Sequence, residues 1–122
     1  MPTYEGGRFA PPAPVARVVV HGPTGKARAD VPLLIDTGAD VSIVPRDVVG
    51  AVEGDVRADH VAIRFFDGSE AVCDVAEVSV ELLRYRFGGA FVLGDEEYGV
   101  LGRNILNALV LTLDGPHRTW SA

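Results

Sequence analysis

Short β-branched runs separated by glycine and proline dominate this sequence, and they restrict the chain to a β-rich fold. The segment 15–21 (Val-Ala-Arg-Val-Val-Val-His) is followed by Gly22-Pro23-Thr24-Gly25, which predicts a strand and then a turn. Fourteen glycines and eight prolines in 122 residues suit a fold with many turns and argue against a helical bundle. Apolar residues at helical spacing occur only near the C-terminus.

The remaining pattern predicts an all-β domain with one short helix near the C-terminus. Alternation in 60–66, followed by the turn Asp67-Gly68-Ser69, predicts a hairpin with a long return strand. The helix is predicted to begin at Asn104 as N-cap, with Ile105, Leu106, Ala108 and Leu109 on its apolar side. Further strands are predicted at 28–36, 41–45, 84–93 and 110–113, and one helical turn at 46–51.

Composition narrows the classes of function. The net charge of −6 argues against nucleic acid or an anionic membrane as partner. One cysteine excludes an internal disulfide, and three scattered histidines do not match a zinc site, so no metal or cofactor is expected. No apolar run is long enough to span a membrane, and residues 1–14 lack the apolar core of a signal peptide. We therefore expect a cytoplasmic protein, with a flexible Pro/Gly-rich arm over 1–14 and one domain over 15–122.

One carboxylate follows directly after an apolar strand, a position that is energetically unfavourable without a hydrogen-bond partner or a function. Asp36 follows Leu33-Leu34-Ile35, the end of a strand that is apolar on both faces, and precedes Thr37-Gly38. Such a position costs solvation free energy unless the carboxylate is hydrogen-bonded or functional. Gly38 lets the backbone and a ligand approach closely, and Thr37 offers a hydroxyl. The alternative is an ordinary turn carboxylate that caps nearby amides.

Two motifs carry a family resemblance. Asp36-Thr37-Gly38-Ala39 resembles the active-site motif of the aspartic proteases. The segment 98–106, with Gly102, Arg103 and Asn104 at its centre, is similar to the second glycine and Arg-Asn helix of retroviral-type members. Gly38 and Gly102 are 64 residues apart, and the hairpin at 65–69 falls where such enzymes have their flap. The resemblance covers about 15–115 and implies a closed retropepsin-like barrel.

The resemblance also implies a reaction and an assembly. Two-lobed aspartic proteases carry two such motifs, whereas this chain has one, so the second carboxylate must come from a second copy. The implied function is a homodimeric endopeptidase, acting on peptide or protein substrates through water activated by two Asp36 carboxylates. The alternative function is a catalytically weak dimerisation or peptide-binding module. Terminal segments are expected to interleave between the two copies, with Trp120 and Arg118 at the dimer edge or in a frayed tail.

The family's roles transfer to this chain residue by residue. Asp36, Thr37 and Gly38 form the expected catalytic loop, in which Thr37 bonds to its counterpart in the second copy. Asp40 is expected to contact substrate backbone and to pair with Arg103, although a purely structural ion pair is an equal alternative. Phe65 and Phe66 either face substrate or pack on the barrel. The expected substrate-binding set is Ala39, Asp40, Phe66, Asp67, Gly68 and Ser69, and the expected structural support is Gly102, Arg103 and Asn104.

Overall fold

The valine-rich runs form strands that curl into one barrel. The computed structural model describes residues 2–122. Its strands are β1 Tyr4–Glu5, β2 Ala13–His21, β3 Ala27–Ile35, β4 Ile43–Pro45, β5 Asp55–Arg64, β6 Glu70–Leu82, β7 Tyr85–Gly94, β8 Gly99–Leu101, β9 Thr112–Asp114 and β10 Thr119–Ser121. Its helices are α1 Arg46–Ala51 and α2 Arg103–Leu106.

The main sheet closes on itself. Its strand order is β1-β2-β3-β8-β4-β7-β6-β5, and β2 also pairs with β6. The strands β2, β3, β8, β4, β7 and β6 therefore form a ring, with β1 and β5 attached outside it. This ring confirms the predicted all-β class and closed barrel. The pairs β3–β8 and β4–β7 are parallel, which brings the ends of β3 and β8 to the same edge of the sheet.

The inside of the ring is filled by alternating aliphatic side chains. In β2, Val18 and Val20 are fully buried while Arg17 is exposed, as a strand with one face on the core requires. Leu33 of β3 and Leu101 of β8 are also fully buried. Burying a Val or Leu side chain contributes about 1.5–3 kcal/mol, so this ring is the main source of stability.

The helices agree with the prediction in position and differ in one cap. The helical turn predicted at 46–51 is present as α1, beside the predicted short helix near the C-terminus. The prediction of Asn104 as N-cap is wrong, because α2 begins at Arg103 and Gly102 holds the cap position without a side-chain bond. The Asn104 side chain instead accepts a hydrogen bond from Ser42. Neither helix in residues 2–122 is long and apolar enough to cross a membrane.

The two ends of the chain pair with each other. Thr3 lies opposite Thr119, Tyr4 N–H donates to Arg118 O at 2.9 Å, and Trp120 N–H donates to the Pro2 carbonyl at 3.2 Å. Trp120 is 3% exposed, so the alternative that places it in a frayed tail is wrong, whereas its place at a dimer edge stays a prediction.

The N-terminal arm also has fixed contacts. Its β1 pairs with the first residues of β2, Tyr4 opposite Pro14 and Glu5 opposite Ala13. Phe9 packs edge-on against Tyr98 at a centroid distance of 5.0 Å. The arm is thus held against the barrel where the sequence predicts flexibility. The division into an arm over 1–14 and a domain over 15–122 stays a prediction.

Candidate active site

Asp36 lies where the two glycine motifs meet. It follows Ile35, the last residue of β3, which is paired in parallel with Leu101 of β8. Asp36 N–H donates to Leu101 O at 3.1 Å, and Arg103 N–H donates to Ala39 O at 2.8 Å. The loop 36–40 is therefore held against the start of α2 by backbone bonds at both ends. The structure brings together the two segments that the sequence resemblance singled out.

The Asp36 carboxylate is oriented by its own loop. Its Oδ1 accepts a hydrogen bond from Gly38 N–H at 2.9 Å, and Ala39 N–H donates to Asp36 O at 3.1 Å. Within residues 2–122 its Oδ2 has no hydrogen-bond partner, so that oxygen is available to water or to a second carboxylate. The Oδ1 contact alone would satisfy a turn cap. A catalytic role for Asp36 must therefore be judged from the residues around its carboxylate.

Ser42 joins the first motif to the second, and the sequence analysis missed it. The side chain is 1% exposed; its Oγ accepts from Gly102 N–H at 2.9 Å and donates to Asn104 Oδ1 at 2.7 Å. A Cβ on Gly102 would lie 2.3 Å from the Val41 carbonyl oxygen, so only glycine fits there. The available signal was a single serine in the apolar run 41–44. The predicted support residues Gly102 and Asn104 thus act through Ser42.

Arg103 supports the loop in a different way from the one predicted. Its Nη1 donates to the Thr37 carbonyl at 2.8 Å. No carboxylate lies within 4.0 Å of its guanidinium among residues 2–122, so the predicted Asp40–Arg103 ion pair is wrong. The side chain leaves the first residue of α2 toward the back of the loop, and there the partner within reach is a carbonyl. Asp40 is exposed and faces the groove described below.

A hairpin extends over the Asp36 loop. It consists of β5 and β6, and its turn is closed by Phe65 N–H to Ser69 O at 2.9 Å and Gly68 N–H to Phe65 O at 3.0 Å. Gly68 has φ +86°, a value that favours glycine. Asp67 Oδ1 accepts from Ser69 Oγ and Ser69 N–H, and these bonds lower the pKa of the Asp67 carboxyl. The tight turn predicted at 67–69 is confirmed.

Phe66 reaches from this hairpin to the glycine of the first motif. The ring is 97% exposed, yet its Cζ would lie 3.3 Å from a Cβ placed on Gly38. Phe65 is 49% exposed, and both rings border the groove. Of the two alternatives for these residues, packing on the barrel is therefore excluded for Phe66.

Between the hairpin and the loop lies a groove of about 460 Å³. Five of the predicted site residues line it, namely Asp36, Gly38, Ala39, Asp40 and Phe66. Thr37, Asp67, Gly68 and Ser69 do not. The sequence analysis missed four aliphatic residues that line the groove, Val41, Ile43, Ile63 and Val100. The sequence pattern identifies them only as strand residues, because it is the closed barrel that brings them together. The groove therefore combines aliphatic and aromatic side chains with two carboxylates, Asp36 and Asp40, and with Arg64.

An ion network fixes the base of the hairpin. Arg46, the first residue of α1, donates from Nη1 to Asp74 Oδ2 at 2.7 Å and from Nε to Asp95 Oδ1 at 3.1 Å. His60 Nε2 lies 3.0 Å from Asp74 Oδ1 across the β5–β6 ladder. The hydrogen bond from Arg46 lowers the pKa of the Asp74 carboxyl. This network connects both hairpin strands to the body of the barrel.

Comparison with solved structures identifies the class of fold. The chain is similar to EIAV protease complexed with the inhibitor HBY-793, with a TM-score of 0.62 and 18% sequence identity. The match covers 79% of this chain and 86% of that one. No family model matches the sequence. At this identity the likeness shows the fold alone, and it confirms the predicted retropepsin-like barrel.

Proposed function

We propose that this protein is a homodimeric aspartic endopeptidase. The observation that carries the proposal is that Asp36 lines a largely aliphatic groove, with Oδ1 held by Gly38 N–H and with Phe66 of the hairpin close to Gly38. The similarity in fold to a retroviral protease supports the same reading. A turn carboxylate with no further role would need neither the groove nor the covering hairpin.

The proposed dimer follows from the number of carboxylates. The reaction requires two, and this chain has one Asp-Thr-Gly. A two-fold axis beside the loop 36–40 would place the two Asp36 side chains face to face. The unpartnered Oδ2 of Asp36 is the atom that would face the axis, and Thr37 would bond to its counterpart behind it.

The proposed chemistry rests on one proton shared by two carboxylates. At ~4 Å two negative charges repel by about 4 kcal/mol at an effective dielectric near 20, so the pair holds one proton and titrates as a unit. The ionised carboxylate takes a proton from a bound water as its oxygen attacks the peptide carbonyl. The protonated carboxyl donates to the carbonyl oxygen, and a proton then passes to the leaving amine.

The proposed substrate is a peptide or protein segment in extended conformation. The four aliphatic residues of the groove and Phe66 suit apolar side chains on either side of the cleaved bond. Phe66, Asp67, Gly68 and Ser69 would form the tip of the flap that closes over the bound segment. Asp40, exposed at the groove and without an ion-pair partner in the described chain, is available to backbone amides of substrate.

The test is Asp36→Asn assayed beside its parent on a peptide library at pH 4–6. We expect turnover to be abolished, because an amide can neither accept the proton of water nor return one. Thermal stability should hold or rise, since the change removes like charges at the proposed axis. Asp47→Asn removes the same charge from the exposed first turn of α1 and should leave activity intact. An Asp36→Asn protein that melts earlier and still cleaves would contradict the proposal.

One observation favours the alternative, a catalytically weak peptide-binding module. The Phe66 ring stands above Gly38 and occupies part of the space over the motif. A module of this kind would bind peptides equally well with Asp36 or Asn at position 36, and the parent would not cleave them. Fluorescence anisotropy with labelled peptides, measured beside the cleavage assay, separates the two functions.

A further inference from the structure

The outer part of the β5–β6 hairpin stands clear of the barrel. The two strands pair with each other from His60, opposite Asp74, outward to the turn. Strand β6 begins to pair with β7 only at Val75. In the part of the chain that the structure describes, residues 70–74 therefore have β5 as their one neighbour in the sheet. We call residues 60–74 the outer hairpin; it is a two-stranded arm attached to the barrel at its base.

The ladder is interrupted where the outer hairpin begins. Between Val56 and His60 the register shifts, so that three residues of β5 face one residue of β6. A bulge of this kind disrupts the ladder and bends the strand. At about 3.4 Å per residue, Phe66 lies about 20 Å from His60, and a rotation of about 6° at the bulge moves it by about 2 Å. Because Phe66 lies close to Gly38, the bulge is a hinge that controls the distance between the tip of the hairpin and the Asp36 loop.

Four charged or titratable side chains meet at this hinge. Asp74 accepts a hydrogen bond from Arg46 Nη1 at 2.7 Å, and its other oxygen lies 3.0 Å from His60 Nε2. Arg46 also donates to Asp95 at 3.1 Å. Arg46 and Asp95 belong to the body of the barrel, whereas His60 and Asp74 begin the outer hairpin. With His60 neutral, two carboxylates share one guanidinium and the cluster carries one net negative charge; a proton on His60 makes the cluster neutral.

The remaining charges around His60 act in the same direction. On its own strand, Arg57 donates to Asp59 through two hydrogen bonds of 2.9 Å and lies 3.4 Å from Glu77 of β6. The guanidinium beside His60 is thus held by two carboxylates, and Asp59 adds to the attraction that Asp74 exerts on a protonated imidazole. The His60 side chain is 51% exposed, so solvent reaches it. Protonation of His60 therefore strengthens its contact with Asp74.

We propose that His60 is a pH-dependent positioning residue, whose protonation binds it to Asp74, tightens the hinge and holds the tip of the hairpin over the Asp36 loop. Histidine side chains in model peptides take up a proton near pH ~6.5, so we expect a tighter hinge at pH 5 than at pH 7.5. The part of the inference that concerns substrate rests on the proposed function. The hinge tightens on the acid side of neutrality, where the proposed carboxylate pair works.

Distance measurements between spin labels test the hinge without relying on activity. Labels on Thr24→Cys and Glu70→Cys, in a Cys73→Ser background, connect the barrel to the outer hairpin through two exposed positions. After subunit exchange with an excess of unlabelled protein, each labelled chain reports a distance within itself. We expect a narrower distance distribution at pH 5 than at pH 7.5. The ratio of closed to open hairpins should change about two- to fivefold, the size expected of a partly exposed ion pair.

Three substitutions separate the charge of His60 from other effects of pH. His60→Gln is neutral at both pH values and should give the broad distribution at both. His60→Lys is positive at both and should give the narrow distribution at both. His117→Gln is the matched control, because His117 lies 2.9 Å from Asp114 on the C-terminal turn, and it should leave the pH response unchanged.

Four outcomes would overturn the proposal. They are a parent without a pH response, a response that survives in His60→Gln, a response that is lost in His117→Gln, and a His60→Lys protein as broadly distributed as His60→Gln. Circular dichroism shows that each variant compared is folded.

Peptide cleavage separates the hinge from the proposed function. The ratio of the parent's KM to that of His60→Lys should rise about two- to fivefold between pH 5 and pH 7.5, while the ratio of the kcat values stays constant because Asp36 is untouched. A constant KM ratio would contradict a role for His60 in positioning the hairpin over substrate. A parent that cleaves no peptide, but whose hinge responds through His60, would contradict the proposed function and support the hinge.

Discussion

Removing the Ser42 hydroxyl tests how the two glycine motifs are held together. Its Oγ accepts from Gly102 N–H and donates to Asn104 Oδ1, in a position that is 1% exposed. Ser42→Ala takes away both bonds while changing the volume of the side chain by one atom. The backbone bond between Arg103 N–H and Ala39 O remains. The substitution therefore isolates the side-chain connection.

The size of the effect follows from which partner is left without a bond. Gly102 is buried, so its N–H would lose its acceptor where water does not reach, at a cost of about 1–3 kcal/mol. Asn104 is exposed, so its amide oxygen can bond to water instead. We take about 2 kcal/mol as the expected loss. An unfolding entropy of about 2.1 cal/mol/K per residue gives ~0.26 kcal/mol/K for 122 residues, and hence a fall in Tm of about 8 °C.

The measurement is thermal unfolding followed by circular dichroism, at one fixed protein concentration because a dimer makes Tm concentration-dependent. Asn104→Ala is the control, because it removes only the acceptor and leaves Ser42 Oγ bonded to Gly102 N–H. It should cost less than half as much as Ser42→Ala. The reasoning is refuted if Ser42→Ala melts within about 2 °C of the parent, well under 1 kcal/mol. A cost for Asn104→Ala equal to that of Ser42→Ala would also refute it.

Two further predictions concern stability. The pKa of Asp67 and of Asp74 is lowered in the folded chain, by bonds from Ser69 and from Arg46 respectively, so both contribute stability above pH ~4 that is lost as pH falls through their folded pKa values. Arg46→Gln should therefore move the acid-unfolding midpoint, followed by circular dichroism, to higher pH; a midpoint equal to that of an Arg28→Gln control would contradict this. Trp120→Phe removes the indole donor to Val15 O at 3.1 Å and should lower Tm by about 4–8 °C, for a loss of ~1–2 kcal/mol. An unchanged Tm would show that the C-terminal strand adds little to the fold of one chain.

The closed barrel was implied by the family resemblance, whereas the hairpin and the Asp36 loop could be predicted because their signals are local. Alternation over 60–66 and the Asp67-Gly68-Ser69 turn specify a hairpin within ten residues, and the structure has it. A strand that is apolar on both faces and ends at Asp36 places that carboxylate at a sheet edge. Each feature needs only neighbours in sequence to be read, so no knowledge of the packing was required.

The side-chain partners around the loop could not be predicted in the same way. Asn104 has the residue type of an N-cap, but Ser42, 62 residues earlier, takes its amide oxygen once the barrel closes. Arg103 has the residue type to pair with Asp40, but the start of α2 directs it to the Thr37 carbonyl. In both cases several partners satisfy the same donor or acceptor, and only the packed arrangement of β4, β8 and α2 selects one.

The termini illustrate a choice between two assemblies that the sequence leaves open. Segments 2–5 and 119–121 can pair within one chain or between two chains through the same backbone hydrogen bonds. Backbone hydrogen bonding alone therefore does not decide between these two arrangements. In the single chain the Trp120 ring is buried and its indole N–H donates to the Val15 carbonyl, and interleaved termini would preserve the same burial and the same bond between two chains. A chain that keeps its own termini would retain its core when it is alone, so folding and the proposed dimerisation would be separate equilibria. Under the proposed function, the dimer would then depend on contacts around the Asp36 loop, which could be weakened without unfolding either copy.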